Sequence, residues 1–336
     1  MHIRFISLAI GQDYQALGAA LRHDLLRISS RRATISIVVS NRMPSEDIFA
    51  PAWQKIPFLL EQLNKLQNKK DRIVWIDADV LILNPRFPIA EYLSTEKDLL
   101  FSLDAFGICT GVFAARNTQW TRDFLNALWL LRAIDPTRQT EFDGRDTWEQ
   151  NSIKALLRYF PNLRAHCGHM SESIVQNRLS KFSANAWLYH LWMEGRTSAD
   201  MLRRRQYVSE HGWTRATFKH ISRFDHQSWT HVAKIAGQIG ITKDELLLQL
   251  GLQPTLHSHS GDLALSQSES DVLVRAGDLF TITLCRFRNK DQAAKWLTTI
   301  HKSLGRLTPL QYAKTESGFY RARTLLDTIF RLQSAQ

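Results

Sequence analysis

The stretch DRIVWIDADVLILNP, Asp71 to Pro85, decides how this chain is read. An apolar run, Ile73-Val74-Trp75-Ile76, ends in two acids one residue apart, Asp77 and Asp79. Apolar residues resume at Val80 and continue to Leu83, and Pro85 stops them. A continuous run of this kind fits a strand buried on both faces, as in the middle of a parallel sheet. Such sheets bind ligands beyond the carboxyl ends of their strands. Two acids spaced by two on an extended backbone project to one side, and unpaired they would suffer both desolvation and mutual repulsion. A divalent cation shared with a diphosphate removes that penalty, because Mg2+ or Mn2+ is typically held by one or two carboxylates plus substrate phosphates. Asp77 and Asp79 are therefore candidate metal ligands. The alternative is structural, with the acids capping turns or pairing with arginine.

The neighbouring segments support a sheet of this type. IRFISLAI reads as a strand, YQALGAALRHDLLRIS has helical periodicity, and ATISIVVS is a second β-branched run. PAWQKIPFLLEQLNKLQNK opens on proline and continues as an amphipathic helix up to the quoted strand. This β-α-β-α-β order predicts a mostly parallel sheet with helices on both faces. After DLLFSLDAFGICTGVFAARN the pattern is helical at WTRDFLNALWLLRAI and DTWEQNSIKALLRYF. From about Ser228 the chain reads as helical segments joined by turns, with LFTITL as its one strand-like run. A domain boundary is expected near His226.

At 336 residues the chain suits two domains, and its 44% hydrophobic content supplies their cores. No stretch approaches the roughly 20 apolar residues of a membrane span. The N-terminal MHIRFISLAIGQDYQ reads as a first strand and not as a signal peptide. Three cysteines, Cys109, Cys167 and Cys285, form no paired framework, so a cytoplasmic location is expected. The net charge of +11 invites a polyanionic partner. It is spread along the chain, with +4 from His226 onward and +7 before it, so charge alone marks no nucleic-acid module. The densest basic run, Arg203-Arg204-Arg205, reads as a solvated helix face.

PAWQKIPFLLEQL followed by RIVWIDADVLILNP resembles the nucleotide-sugar segment of GT-A glycosyltransferases, family 34 above all, with the glycogenin-like family 8 as a cousin. Two further blocks follow in order. ICTGVFAARNTQWTRDFLNALW resembles that family's Thr-Gly segment, with Thr110, Gly111, Arg116, Asn117 and Trp120 in place, and TWEQNSIKALL resembles its acidic-Gln helix. The resemblance implies a metal-dependent, retaining glycosyltransferase that uses a UDP- or GDP-linked sugar with Mn2+ or Mg2+. It places Asp77 and Asp79 on the metal and Glu149 and Gln150 near the anomeric carbon. Gly11, Tyr14, Lys55, Asp77 and Gly111 become donor-binding candidates. The family's third metal ligand is a histidine on a late strand, and the resemblance carries it to His220 in ATFKHISRF. The chain departs from the family at Cys109, where asparagine is usual, at Glu149, where aspartate is commoner, and at Arg223, where glycine is usual.

The C-terminal part carries a second resemblance. WTHVAKIAGQIGITKDELLLQLG reads as a helix-turn-helix, with Gly240 and Gly251 as stops and Thr242 as a cap. LSQSESDVLVRAG and QAAKWLTTIHKSLGRLTPLQYAKTESGFYRARTLLDTIF resemble the antitoxin Xre/MbcA/ParS toxin-binding domain through Ala294, Trp296, Leu297, Gly305, Thr308, Pro309, Thr315 and Gly318. This implies a toxin protein, promoter DNA and a homodimer as partners. The segment that would meet DNA offers His257, Ser258 and His259, in place of the Arg, Lys, Asn or Gln that such a helix needs at its start.

The expected architecture is thus a GT-A, Rossmann-like α/β domain over residues 1–225, a helix-turn-helix segment over 226–262 and an all-α, antitoxin-like domain over 263–336. Three functions remain open at this stage. One is a glycosyltransferase with an appended regulatory or recruitment module. Another is an antitoxin-like regulator carrying a fused or inactive glycosyltransferase domain. The third is a glycosyltransferase directed to nucleic acid.

Overall fold

The computed structural model describes residues 1–42, 51–104, 107–134, 149–177, 180–191, 197–222, 229–252, 265–287 and 289–334. The chain divides into two compact units, one drawn from residues 1–139 and 146–222 and one chiefly from residues 223–336.

In the first unit β1 (His2–Leu8), α1 (Gln12–Leu25) and β2 (Thr34–Ser40) are followed by α2 (Lys55–Asn64), β3 (Arg72–Ile76), β4 (Val80–Ile82) and the short α3 (Ile89–Tyr92). Next come β5 (Leu99–Asp104), β6 (Gly107–Arg116), α4 (Gln119–Ile134), α5 (Glu149–Tyr159), β7 (Cys167–Met170), β8 (Val175–Gln176) and β9 (Leu188–His190). The unit closes with α6 (Ser198–His211) and α7 (Arg215–Ser222).

Six strands form one sheet in the order β2-β1-β3-β6-β5-β7. β1 pairs in parallel with β2 and with β3, and β5 in parallel with β7, while β6 runs antiparallel to both of its neighbours. The sheet is therefore mainly parallel, with one reversed strand inside it.

Alternation along β3 separates two cores. Ile73 and Trp75 join the buried side chains of α2, α4 and α5 on one face. Val74 and Ile76 join α1, α3 and Trp187 on the other. Every residue of β3 is buried, which is why its run carries no polar alternation.

β4 does not continue the large sheet. It pairs antiparallel with β9 in a second sheet of order β4-β9-β8. Asp77 still donates its backbone N–H to Gly111 O at 2.8 Å, and the Val80 N–H then closes a turn onto Asp77 O at 3.1 Å. Residues 77–79 are thus the point where the chain leaves one sheet for the other. The acids interrupt the apolar tract because the tract is two strands in two sheets. Their side chains are brought together by this turn, and not by the extended backbone that the spacing predicts.

The second unit is helical: α8 (Trp229–Ile239), α9 (Lys243–Leu250), α10 (Gln267–Phe287), α11 (Lys290–Thr298), α12 (Pro309–Tyr312) and α13 (Glu316–Ser334). The strand-like run LFTITL lies inside α10. Leu279, Phe280 and Ile282 are buried there, and Thr281 and Thr283 donate their hydroxyls to the carbonyls of Gly277 and Leu279 four residues back. Burial along a long helix overrides the local β preference of this run.

The arginine run on α6 is also a correction. Arg204 is buried between Asp200 and the Ile221 carbonyl, and Arg205 pairs with Asp24 and donates to the Val80 carbonyl at 2.8 Å. Only Arg203 is solvated, so two of the three charges are internal ties. Among the described residues, no helix is long and apolar enough to cross a membrane.

Candidate active site

The turn after β3 presents Asp77 and Asp79, and β9 brings a third group to them. Val80 and His190 are register partners across the β4–β9 pair, and Leu191 N–H donates to Asp79 O at 3.0 Å. One ligand-type atom from each of Asp77, Asp79 and His190 lies within 4.8 Å of the others. His190 Nε2 stands 3.3 Å from Asp79 Oδ1. Asp79 is only 7% exposed, and its Oδ1 has no aligned hydrogen-bond donor.

The sequence signal for His190 was present but short. It ends the apolar run Ala186-Trp187-Leu188-Tyr189, just as Asp77 ends its own run. His220, the sequence-based choice, is not part of this group: it is exposed on α7 and stacked on Tyr207 at 3.8 Å. A helix position facing solvent cannot do what the strand register does for His190.

Strand β6 forms one wall. Its alternation sends Thr110 one way and Cys109 and Gly111 the other. The imidazole of His190 lies against the bare Gly111, where an added Cβ would stand 2.2 Å from Cε1. Only glycine leaves room for that ring. On the other side the Thr110 hydroxyl donates to Glu149 Oε1 at 2.7 Å, and the Thr110 N–H donates to Gln150 Oε1 at 3.0 Å.

Lys55, the first residue of α2, is 4% exposed and links the two sides. Its ammonium lies 2.7 Å from Glu149 Oε1 and 3.5 Å from Asp77 Oδ1, and it donates to Thr110 O at 3.3 Å. Asp77 also accepts from the Trp75 indole N–H at 2.6 Å.

The electrostatics follow from this geometry. Burial alone would lower the Lys55 pKa, but Asp77 and Glu149 raise it above the ordinary lysine range. Burial raises the Asp77 pKa, and Lys55 only partly offsets it. Burial acts on Asp79 in the same direction, yet His190 brings its pKa below the usual carboxylate value. Conversely, desolvation disfavours the imidazolium of His190, and Asp79 outweighs it and raises its pKa well above the ordinary value. A cation bound at Nε2 would compete with a proton for that nitrogen.

The residues fit a divalent cation. Two carboxylates and one imidazole are a donor set suited to Mn2+ or Mg2+ with substrate oxygens completing the shell, and Asp79 Oδ1 is a buried acceptor without a donor.

The remaining candidates are placed as follows. Gly11 stands at the N-terminus of α1 with φ +88°, a conformation glycine adopts without strain. Tyr14 packs on the cluster that contains Ala78, the residue between the two acids. Gln150 is half-buried beside Thr110, and Glu149 is 1% exposed, with Oε2 lacking any hydrogen-bond partner. His257, Ser258 and His259 lie outside the described residues. His166, next to Cys167, pairs with Asp98 at 2.6 Å and stacks on Trp120.

Residues 92–190 match the galactosyl transferase GMA12/MNN10 family. The match takes in Gly111, Glu149, Gln150 and His190 and starts after the two acids. Residues 286–330 match the antitoxin Xre/MbcA/ParS C-terminal toxin-binding domain, which leaves α8 and α9 outside. No curated protein matches the sequence.

Solved structures similar to this chain include a glycosyltransferase involved in glycosylation of the PBCV-1 major capsid, at 15% identity and TM-score 0.47, covering 61% of this chain and 99% of that one. The glycosyltransferase GlyE of Streptococcus pneumoniae TIGR4 is similar at 10% identity and TM-score 0.41, covering 66% and 60%. Mouse xyloside xylosyltransferase 1 is similar at 10% identity and TM-score 0.38, covering 56% and 97%. Over residues 92–190 the chain is thus similar to the galactosyl transferase GMA12/MNN10 family and over residues 286–330 to the Xre/MbcA/ParS toxin-binding domain, and the first of these matches supports a glycosyltransferase.

Proposed function

We propose that this protein transfers a sugar from a nucleotide diphosphate to an acceptor hydroxyl, with Asp77, Asp79 and His190 holding Mn2+ or Mg2+. The observation that carries the reading is Asp79 Oδ1, a buried carboxylate oxygen without a hydrogen-bond donor beside a second acid and an imidazole. When bound there, the cation supplies charge neutralisation for the departing diphosphate.

The protein's own residues have separate tasks in this scheme. Lys55 is the counter-ion shared by Asp77 and Glu149, and Thr110 orients the Glu149–Gln150 pair from the opposite side of β6. Gly11 and Tyr14 border the same end of the sheet and contribute to donor binding.

The reaction breaks the bond between the anomeric carbon and the diphosphate oxygen, and forms a bond from the acceptor oxygen to that carbon on the same face. Formation of the new bond on the face that the diphosphate leaves retains the configuration, and the acceptor proton passes to the leaving diphosphate. Glu149 is bound to Lys55 and Thr110 through Oε1, which suits it to positioning and electrostatic support more than to attack. The appended helical unit serves recruitment or regulation in this scheme. Two exposed apolar side chains inside its matched segment, Ile300 and Leu307, are available to a protein partner.

The test is a panel of UDP- and GDP-sugars with and without Mn2+, assayed for donor hydrolysis and transfer. Asp79→Asn is expected to lower the metal-dependent rate at least a hundredfold while the thermal unfolding midpoint stays near that of the parent chain. Unchanged turnover would remove Asp79 from the metal site. Absence of Mn2+-dependent hydrolysis with every donor would overturn the transferase reading.

A further inference from the structure

His190 has two ring nitrogens, and the structure gives each a different neighbour. Nε2 faces Asp79 at 3.3 Å, on the side where the ligand atoms converge. Nδ1 lies 3.5 Å from Cys109 Sγ, and both residues are buried. The ring lies across Gly111, which precludes a lateral shift towards β6. β6 therefore supplies both the surface under the imidazole and the sulfur at its edge.

A neutral imidazole can ligate through one nitrogen only when the other carries the proton. Which nitrogen that is depends on the partner of the second one, most often a carboxylate, a backbone carbonyl or water. Here the atom in that position is a sulfur, which is a weak acceptor. We infer that Cys109 is the positioning residue for His190: its sulfur accepts a hydrogen bond from Nδ1–H, which keeps the proton on Nδ1 and leaves the Nε2 lone pair directed at the cation held with Asp77 and Asp79. The inference rests on the metal reading proposed above.

It also assigns a purpose to the one position in the Thr-Gly block where this chain has cysteine. The side chain at 109 points to the same side of the strand as Gly111 and away from Thr110 and Glu149. It touches the site through His190, so it is not a catalytic residue. Its backbone is held independently, because Cys109 O accepts from the Ser102 hydroxyl at 3.0 Å. Replacement of the sulfur thus leaves that anchor in place.

The test uses the full chain and Mn2+ alone, with the dissociation constant read by electron paramagnetic resonance. Cys109→Ala is expected to weaken Mn2+ binding about 10- to 100-fold, the usual effect of losing such a partner. Cys109→Ser retains an acceptor and is expected to stay close to the parent. A second readout is independent of the variants: in the Mg2+-loaded parent, histidine-selective 15N NMR should show His190 protonated at Nδ1.

Parent-level Mn2+ affinity in Cys109→Ala overturns the inference. So does a serine variant as weak as the alanine one, or an Nε2-protonated His190 in the parent. If the parent chain itself fails to bind Mn2+, the metal reading falls first, and that outcome is distinct from the other three. Should Cys109→Ala fail to fold, the NMR measurement on the parent still decides.

Discussion

Cys167 illustrates how far a side chain's neighbours can move it from its ordinary chemistry. It opens β7, is 8% exposed and lies close to Asp98. Burial, reinforced by the Asp98 charge, pushes its thiol up to about 11. Because the thiolate is the reactive form, alkylation of Cys167 should be roughly a hundred times slower than that of a free thiol at pH 8. It should rise only as the pH climbs towards 11. Iodoacetamide labelling followed by mass spectrometry checks this, and rapid labelling at pH 8 would show that the thiol is neither dry nor near a negative charge. At the same scale, Lys55 and Gly111 gain their roles from contact alone. A lysine opening an amphipathic helix reads equally well as a surface residue, and only the approach of Glu149 and Asp77 makes it an internal counter-ion. A glycine within a strand carries no local sign that a histidine ring lies on it.

Elements show a similar division between local signal and long-range use. In the second unit the cap at Thr242 and the stop at Gly251 are legible in the sequence, whereas Thr308 is marked only by the family resemblance. Thr242 caps α9 in a reciprocal box with Glu245, Gly251 ends it in the left-handed region, and Thr308 opens α12 in a second box with Gln311. The second box does more than start a helix, since the Thr308 hydroxyl also donates to Gln249 Oε1 at 2.8 Å and ties α12 to α9. Thr308 is buried, so Thr308→Ala should destabilise the chain by about 1–2 kcal/mol. Urea unfolding followed by circular dichroism measures this, and a loss below a few tenths would mean that water or another donor replaces the hydroxyl. In the first unit, the continuous apolar run of β3 reads as a strand buried on both faces, and its side chains do alternate between two cores. The same tract concealed the break between β3 and β4, because both strands are apolar and hydropathy does not record which sheet a strand joins.

For the whole molecule, the division into two compact units has a direct consequence. The core clusters of the α/β part are built entirely from residues before 223, so a chain ending at Ser222 should unfold cooperatively and keep its mixed α/β circular dichroism. It should also retain metal-dependent donor hydrolysis, since Asp77, Asp79, Lys55, Glu149 and His190 all belong to it. Failure of that fragment to fold would show that the α/β part needs the helical part for stability. The charge excess has a plainer account at this scale. Internal pairs such as Arg204 with Asp200 and Arg205 with Asp24 cancel in the sum, so the excess of +11 comes from the other basic residues, distributed along both parts.

By itself, the sequence determined the elements that depend on neighbours a few residues away. These are the apolar periods of the strands and helices, the caps and glycine stops, the order that makes a mainly parallel sheet, and two acids at a strand end. Tertiary structure alone decided which distant groups meet those acids. The β4–β9 register carries His190 to Asp79 and leaves His220 in solvent, and the packing of α2 buries Lys55 between two carboxylates. Hydrophobic period is a local property, whereas strand register depends on the packing of the entire sheet, so no residue's near neighbours could reveal it.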